Sequence, residues 1–359
     1  MKILQIIHKP QSRGAEIFTC QLSGQLTKIG HKVKIISVYD GEANLPWPDP
    51  IESLSANSKS RFIDFKAWKK LAIIIKSFKP CLVQVNAGDS LKYAVLSKNV
   101  FKWTQPIVVR NASEVGRYLN SRIQKSINVL FYKSISKVIS VSHASKKDLL
   151  EHFPFLRGKI EVIQVGLENA KIKVKVLEPT GIKHILHVGG FTFEKNHEGL
   201  LRIFKKVQEK MPNVHLHLVG DGPERVNIER KVEEFKLEDH ITFYGFVNDP
   251  LSYINSADIL VLPSIIEGLP GVILEAMYCK TPVVAYNVGG VSEVLNDDTG
   301  ILILKNDESS FAGSVLDILI KNDFNKVEEA FNLVRNHYMN DQIALKFVNS
   351  YQKLVEQSQ

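Results

Sequence analysis

The chain has 359 residues, which is long for a single hydrophobic core and indicates two domains. It carries a formal net charge of +8, and no run of 18 or more apolar residues predicts a membrane-spanning helix. Its three cysteines, Cys20, Cys81 and Cys279, lack the spacing of metal ligands, and we expect reduced thiols in a cytoplasmic protein.

Strand-like and helix-like segments alternate through the first half of the chain. A helix over 15–29 should end at Gly30, and a helix over 142–152 should have Ser142 as its N-cap. Alternation of this kind predicts a doubly wound parallel sheet. The expected strands are 2–7, 32–38, 82–85, 107–109, 138–141 and 160–165.

A linker is expected at 177–181, after which the alternation begins again. The tail over 324–356 is predicted to be helical. The expected strands of this half are 183–188, 215–219, 241–244, 259–262, 282–285 and 301–304, and the expected helices are 199–210, 223–235, 249–256 and 272–279.

The balance of charged residues also differs between the two halves of the chain. Residues 1–175 hold 29 Lys and Arg against 12 Asp and Glu, whereas the remainder holds 17 against 26. The basic half lacks the motifs of DNA-binding and RNA-binding proteins, so no nucleic-acid partner is expected. An anionic membrane surface fits the basic half better, with a merely solvated basic face as the alternative.

Residues 267–275 combine two glutamates with a Gly/Pro turn at the end of the buried strand 259–262. The carboxylates of Glu267 and Glu275 can accept hydrogen bonds from sugar hydroxyls. Unpaired backbone N–H groups at the start of a new helix, over 271–273, can hold a phosphate. This pattern predicts a site for a polyhydroxylated, phosphorylated ligand.

Several motifs in this order resemble glycosyltransferase family 4, and the resemblance covers almost the whole chain. Without this resemblance, we would interpret Gly289, Gly290 and Glu293 only as a turn at the start of a helix. The motifs are Arg13-Gly14-Ala15-Glu16, residues 141–149, 188–197, 218–223 and 257–264, the two-glutamate segment, and Gly289, Gly290, Glu293 and Gly300.

The resemblance implies the GT-B fold, an α/β architecture of two Rossmann-like, doubly wound domains that face a central cleft. The expected N-terminal, acceptor-binding domain is 1–177, and the expected C-terminal domain, which binds the nucleotide-sugar donor, is 178–335. A C-terminal helix within 336–359 is expected to cross back and pack on the first domain.

The resemblance also implies roles for individual residues. Glu275 resembles the family's ribose-binding carboxylate. Glu267 and Lys195 are the expected catalytic residues. Glu267 would contact the donor sugar and support charge at its anomeric carbon, and Lys195 would stabilise the departing diphosphate. The other residues expected to bind the donor are Gly14, Gly190, Gly222, Phe246, Gly268, Leu269, Gly271, Val272 and Ile273.

Two positions depart from the family pattern. Gly190 stands where an arginine is common, and Arg13 or Arg110 is a candidate to replace that cation. After the strand 107–109, where many relatives carry a histidine, this chain has Arg110 and Asn111. We expect these two residues, together with Arg117, to contact the acceptor.

The sequence therefore predicts a retaining glycosyltransferase that moves a sugar from a UDP- or GDP-sugar to a glycan or lipid-linked acceptor in surface-glycan biosynthesis. It is expected in the cytoplasm, as a peripheral protein on the inner face of the cell membrane. The resemblance implies that no cofactor or metal is needed, and consistently no Asp-x-Asp pair is placed to hold a divalent ion. The alternatives are a catalytically degenerate GT-B scaffold and a nucleotide-sugar epimerase.

Overall fold

The computed structural model describes residues 1–60, 62–86, 88–119, 121–169, 176–177, 181–321 and 325–357. They form two compact units. Unit 1 combines Met1–Glu168 with Asn340–Gln359, and unit 2 is Asn169–Met339. The first boundary precedes the predicted division after residue 177. Of the predicted linker, only Leu177 and Gly181 lie within the described residues, and Phe324 of the predicted tail lies outside them.

Unit 1 is built on a parallel sheet of seven strands in the order β3-β2-β1-β4-β5-β6-β7. The order reverses between β1 and β4, which are direct neighbours. The strands are β1 (Lys2–Ile7), β2 (Lys32–Ser37), β3 (Glu52–Ser53), β4 (Leu82–Val85), β5 (Ile107–Asn111), β6 (Lys137–Ser140) and β7 (Ile160–Val162). The helices between them are α1 (Gly14–Lys28), α2 (Phe65–Phe78), α3 (Gly88–Phe101), α4 (Arg122–Lys133) and α5 (His143–His152).

Unit 2 is built on a parallel sheet of six strands in the order β10-β9-β8-β11-β12-β13. Its strands are β8 (Lys183–Val188), β9 (Val214–Val219), β10 (Ile241–Gly245), β11 (Ile259–Leu262), β12 (Val283–Tyr286) and β13 (Ile301–Ile303). Its helices are α6 (His197–Lys210), α7 (Arg225–Phe235), α8 (Pro250–Ile254), α9 (Gly271–Tyr278), α10 (Glu308–Lys321) and α11 (Lys326–His337).

The last helix, α12 (Asn340–Glu356), belongs to unit 1 although it follows unit 2 in the chain. Ile343, Phe347 and Tyr351 of α12 pack with Phe18 of α1 and with the strands on one face of the first sheet. The Asn340 side chain donates to Glu168 at 2.9 Å, which ties the start of α12 to the end of the first part of the chain.

Each unit has its own apolar core. In unit 1, one sheet face packs against α2, α3 and α4, and the other packs against α1 and α12. In unit 2, α6, α7 and α10 cover one face of the sheet. Both units are therefore Rossmann-like, as predicted. In unit 2 the strand order reverses between β8 and β11, and a ligand site is expected beside that reversal at the carboxyl ends of the strands.

Candidate active site

The expected catalytic pair lies at the carboxyl ends of β8 and β11, the two neighbouring strands where the order of the second sheet reverses. Lys195 ends the short 3-10 turn Phe193–Lys195 that follows β8, and Glu267 lies in the loop after β11. The Lys195 Nζ donates to the Glu267 Oε1 at 2.6 Å, and both side chains are largely buried. The fold thus joins two residues that are 72 positions apart in the sequence.

Hydrogen bonds between the two loops hold this pair in place. Asn196 adopts a left-handed conformation with φ of 54°, and its amide donates to the Pro263 carbonyl at 3.0 Å. The Ile265 backbone N–H donates to the Glu194 carbonyl at 2.8 Å. Asparagine is among the residues that tolerate this backbone conformation best, which suits Asn196 to the end of the turn.

A third loop supports Glu267 from behind. The Gly290 N–H donates to the Gly268 carbonyl at 2.9 Å, and Gly289 has a φ of +52°. A Cβ at Gly289 would fall on the Glu267 carbonyl oxygen. Gly289 therefore positions the catalytic loop, a role that the sequence interpretation missed. The Gly289-Gly290 pair was its only signal.

The helix α9 begins immediately after this loop, with Pro270 at its N-cap and no side-chain cap. The Ile273 N–H donates to the Pro270 carbonyl at 3.2 Å, so it is already occupied. Within the described ranges, the N–H groups of Gly271 and Val272 have no acceptor. Of the three donors predicted to hold a phosphate, two are therefore available at a helix N-terminus.

Glu275 lies one turn further along α9, and its side chain is half-buried. Its carboxylate has no hydrogen-bond partner in the part of the chain that the structure describes. Burial raises the pKa of Glu275 to about 7. A half-buried carboxyl without a protein partner is costly for the folded protein, because no protein donor replaces the part of its hydration that it has lost. Ligand hydroxyl groups would supply the missing partners.

Two buried histidines lie beneath the catalytic loop and were not predicted as part of the site. The His187 Nδ1 donates to the Val261 carbonyl at 2.9 Å, and its ring meets His197 edge-on. Phe191 stacks on His197 with 4.1 Å between ring centroids. Burial lowers the pKa of His187 to about 4 and that of His197 to about 2, so both rings are neutral at pH 7.

The loops after β8, β9 and β10 approach one another closely. The Phe191 N–H donates to the Asp221 carbonyl at 3.0 Å, and a Cβ at Gly222 would meet the Phe191 backbone. Gly190 has room for a Cβ, with the Asp221 carbonyl oxygen at 3.6 Å. Phe246 follows β10 and is exposed. The predicted donor residues of this unit thus lie on consecutive loops at one edge of the sheet.

The predicted acceptor residues and Gly14 belong to unit 1. Gly14 is the first residue of α1, and a Cβ there would have open space around it. Arg110 is only 3% exposed. Its Nε donates to the Asn86 Oδ1 at 3.0 Å, its Nη2 donates to the Ala15 carbonyl at 2.9 Å, and burial lowers its pKa to about 10. Arg110 therefore ties β5 to the start of α1.

Asn111 is also held by its surroundings, since its amide donates to the Ser140 hydroxyl and to the Ser145 carbonyl, each at 3.3 Å. Arg110 and Asn111 both line a cavity of about 630 Å³ at the carboxyl ends of β4 and β5. Arg117 lies outside this cavity and pairs with Glu114 at 3.2 Å.

No group of three or more His, Cys, Asp and Glu side chains is arranged to hold a metal ion in the described ranges. The three cysteines are free thiols, and burial raises the pKa of both Cys20 and Cys279 to about 12. None of the described helices is long and apolar enough to cross a membrane.

Comparison with known proteins agrees with this architecture. Residues 12–170 match the family described as Glycosyltransferase Family 4, and residues 168–336 match Glycosyl transferases group 1. An uncharacterized glycosyltransferase of Methanocaldococcus jannaschii is 31% identical over 99% of each chain. The chain belongs to glycosyltransferase family 4. It is accordingly a glycosyltransferase with a GT-B fold, as its sequence predicted.

One further relative and one solved structure are similar to the chain. One is the N-acetylgalactosamine-N,N'-diacetylbacillosaminyl-diphospho-undecaprenol 4-alpha-N-acetylgalactosaminyltransferase of Campylobacter jejuni, 27% identical over 54% of each chain. The other is Anabaena HepE, solved in complex with UDP and glucose. It has a TM-score of 0.83 and 17% identity, over 98% of this chain and 100% of its own.

Proposed function

We propose that this glycosyltransferase retains anomeric configuration and transfers a sugar from a UDP- or GDP-sugar to a hydroxyl group of a lipid-linked or polysaccharide intermediate in surface-glycan biosynthesis. It works without a metal ion or other cofactor. It acts in the cytoplasm, peripherally on the inner face of the cell membrane.

The half-buried carboxylate of Glu275, which has no protein partner in the described ranges, carries the donor part of the proposal. It lies at the carboxyl edge of the second sheet, one turn after the unpaired N–H groups of Gly271 and Val272. A nucleoside diphosphate supplies what both lack: ribose hydroxyls donate to the carboxylate, and phosphate oxygens accept from the helix N-terminus. The complex of HepE with UDP and glucose supports this choice of ligand by analogy of fold.

The ion pair of Lys195 and Glu267 carries the catalytic part. When the acceptor hydroxyl oxygen bonds to the anomeric carbon, the bond from that carbon to the diphosphate breaks, negative charge develops on the departing oxygen, and the hydroxyl proton passes to the diphosphate. The Lys195 ammonium, already fixed by Glu267 at 2.6 Å, stabilises that charge without reorganising. Glu267 supports the positive charge on the sugar ring and accepts from its hydroxyls.

The acceptor part of the proposal is supported by the basic composition of residues 1–175 and by the similarity to the Campylobacter enzyme, whose name describes an undecaprenol-linked acceptor. Arg110 and Asn111 lie at the floor of the unit 1 cavity, and we assign the acceptor to that cavity. Arg117, outside the cavity, is the third proposed acceptor contact.

A thermal-shift panel with UDP, GDP, ADP and CMP and their sugars, in the presence of a chelator, tests this function. One nucleotide and its sugar should raise the melting temperature, since a ligand of the folded state stabilises it by mass action. Glu275→Ala should abolish the shift, whereas Glu328→Ala, which removes a carboxylate from an exposed ion pair of the same unit, should leave it intact.

Turnover is then measured with the selected donor and a polyprenyl-diphosphate sugar. Lys195→Ala should lower kcat by about 100-fold or more. Lys280→Ala, which removes the lysine of the same exposed pair, serves as its control. Absence of any nucleotide shift would refute the donor site. Conversion of the donor without transfer would instead indicate an epimerase.

A further inference from the structure

The helix α4 of unit 1 presents apolar side chains to solvent. Ile123 is 75% exposed and Leu130 is 66% exposed. These residues are seven positions apart, about two helical turns, and so lie on the same face. The opposite side of α4 is anchored by the buried Phe131 and Tyr132. An amphipathic helix normally keeps its large apolar residues on the packed side, so Ile123 and Leu130 are out of place for a solvated surface.

Cations border these apolar side chains. Arg122 and Lys133 of α4 are exposed, and within the described ranges neither pairs with a carboxylate. We call Arg122, Ile123, Leu130 and Lys133 the α4 face. Residues 115–147, which include α4, contain seven Lys and Arg and no Asp or Glu. The field around this face is therefore positive without local compensation.

The α4 face adjoins the unit 1 cavity. Ile123 and Ile127 form part of the cavity wall, and Phe62, which precedes α2, forms another part. Ile63 and Phe65, next to Phe62, are also exposed apolar residues. The cavity wall thus continues into exposed apolar side chains from two separate segments of unit 1.

We propose that the α4 face docks on an anionic lipid bilayer, so that the adjoining cavity opens toward the membrane. Exposed isoleucine and leucine side chains enter the acyl boundary, and the flanking Arg and Lys contact acidic headgroups. The apolar part of the cavity wall receives the hydrocarbon of a membrane-embedded acceptor, while Asn111 and Ser113 line the same cavity with polar side chains. The choice of acceptor rests on the proposed function; the docking does not.

Charge favours a bilayer over a protein partner as the occupant. Protein interfaces are depleted of lysine at their centres, whereas here cations flank the exposed apolar residues on one face of the helix. Interfacial helices of peripheral membrane proteins have this pattern, because their polar faces are rich in Lys and Arg.

The test is sedimentation of the full-length protein with vesicles of phosphatidylcholine alone or mixed with phosphatidylglycerol. We expect binding to the anionic vesicles that weakens with added salt. Ile123→Ser with Leu130→Ser should weaken it about tenfold. Arg122→Glu with Lys133→Glu should weaken it at least as much. Thermal stability should stay near that of the unaltered protein, because all four side chains are exposed.

Unit 2 offers a matched control. Leu304 is 74% exposed and Ile320 is 67% exposed, so Leu304→Ser with Ile320→Ser removes the same amount of exposed apolar surface. This variant should bind anionic vesicles like the unaltered protein. Equal binding to both kinds of vesicle, or equal loss in the control, would overturn the proposal. Light scattering detects the remaining occupant, a second copy of the chain. If the α4-face variants have half the mass of the unaltered protein, and no vesicle binding is seen, the face binds that second copy and the docking proposal is overturned too.

The donor thermal shift, measured on the same preparations, separates this proposal from the proposed function. A nucleotide shift without vesicle binding refutes the docking alone. Vesicle binding without any nucleotide shift refutes the donor site alone and leaves the docking in place.

Discussion

At the residue scale, Glu275 shows how a binding site reduces the stability of the fold that carries it. Its carboxyl has an ordinary pKa of 4.5, which burial raises to about 7. Between about pH 4.5 and pH 7, the Glu275 carboxyl of the folded protein holds a proton that the same group has released in the unfolded chain. The unliganded protein should therefore lose stability as the pH rises from about 4.5 to 7, and the full penalty applies above that range. Glu275→Gln should be the more stable protein at pH 8, with the difference gone at pH 4.

The same titration should appear in donor binding. The ionised Glu275 carboxylate accepts two hydroxyl donors, whereas the protonated group accepts fewer and competes as a donor itself. Affinity for the nucleotide sugar should fall about tenfold between pH 8 and pH 6, as the ionised fraction falls with a pKa near 7.

Calorimetry with an intact nucleotide sugar measures this effect, because its two esterified phosphates keep a constant charge over that range. Glu275→Gln should bind weakly at both pH values. A pH-independent affinity in the unaltered protein would show that another group, not Glu275, receives the ribose.

At the scale of elements, residues 259–275 show what local sequence predicts well. The apolar run became β11, the glycine-rich turn became a loop, and α9 begins at Gly271, one residue before the predicted start. Likewise β1 and β8 have the predicted bounds, and Ser142 caps α5, accepting from the Ser145 N–H. Short β-branched runs, caps and glycines determine these elements locally, so that the sequence reveals them.

Other elements depend on contacts that the sequence does not display. Nothing was predicted for α2, α3, α4 and α10 or for the strand β3. The run Ile73-Ile74-Ile75 of α2 has a strand-like composition, and only packing separates the exposed Ile73 from its buried neighbours. The two-residue strand β3 exists because β2 pairs with it. Tertiary context determines such elements.

The residues of the site likewise divide into those that local sequence predicts and those that depend on tertiary contacts. A helix bearing Glu275 and a loop bearing Glu267 follow from local pattern. The contact of Lys195 with Glu267 joins separate βα units, and the approach of Gly289 to the Glu267 carbonyl joins a third. The sequence interpretation placed Lys195 and Glu267 in one site only through the family resemblance, and it treated Gly289 as part of a simple turn.

Gly289→Ala tests the support of the catalytic loop. A residue with a side chain is strained at a φ of +52°, and its Cβ would displace the Glu267 carbonyl. We expect a loss of about 1–3 kcal/mol in the free energy of unfolding and a more than tenfold loss of transfer.

Gly313→Ala is the matched control, because this glycine lies within α10 with open space around it. Alanine there should leave transfer unchanged and raise stability by about 0.5–1 kcal/mol. Full transfer activity in Gly289→Ala, at unchanged stability, would contradict the role given to Gly289. Urea unfolding and initial rates at saturating donor provide the measurements.

At the scale of the whole molecule, each unit has its own core, and a variant in one should report on that core. Phe347 of α12 is fully buried in unit 1 and Phe311 of α10 is fully buried in unit 2. All three tryptophans, Trp47, Trp68 and Trp103, lie in unit 1, so their fluorescence monitors that unit.

Phe347→Ala should lower the stability measured by tryptophan fluorescence by about 3–5 kcal/mol, because it leaves a cavity under α12. Phe311→Ala should instead lower the urea concentration at which nucleotide binding is lost. It should also lower the urea concentration at which the protein loses the circular dichroism signal that remains after unit 1 unfolds. If both variants shift the unfolding transition seen by tryptophan fluorescence by the same amount, the two units unfold in one cooperative step.

The place of α12 has a consequence for how the protein is made. During synthesis the strands of unit 1 emerge before unit 2, yet the helix that covers Phe18, Leu22 and Val108 lies within Asn340–Gln359, which follow unit 2. At ordinary rates of translation, unit 2 occupies the ribosome for on the order of 10 s in between. The second unit can therefore complete its fold on the nascent chain while the first still exposes an apolar strip. A chaperone that binds nascent chains should recognise that strip and be released once α12 covers it.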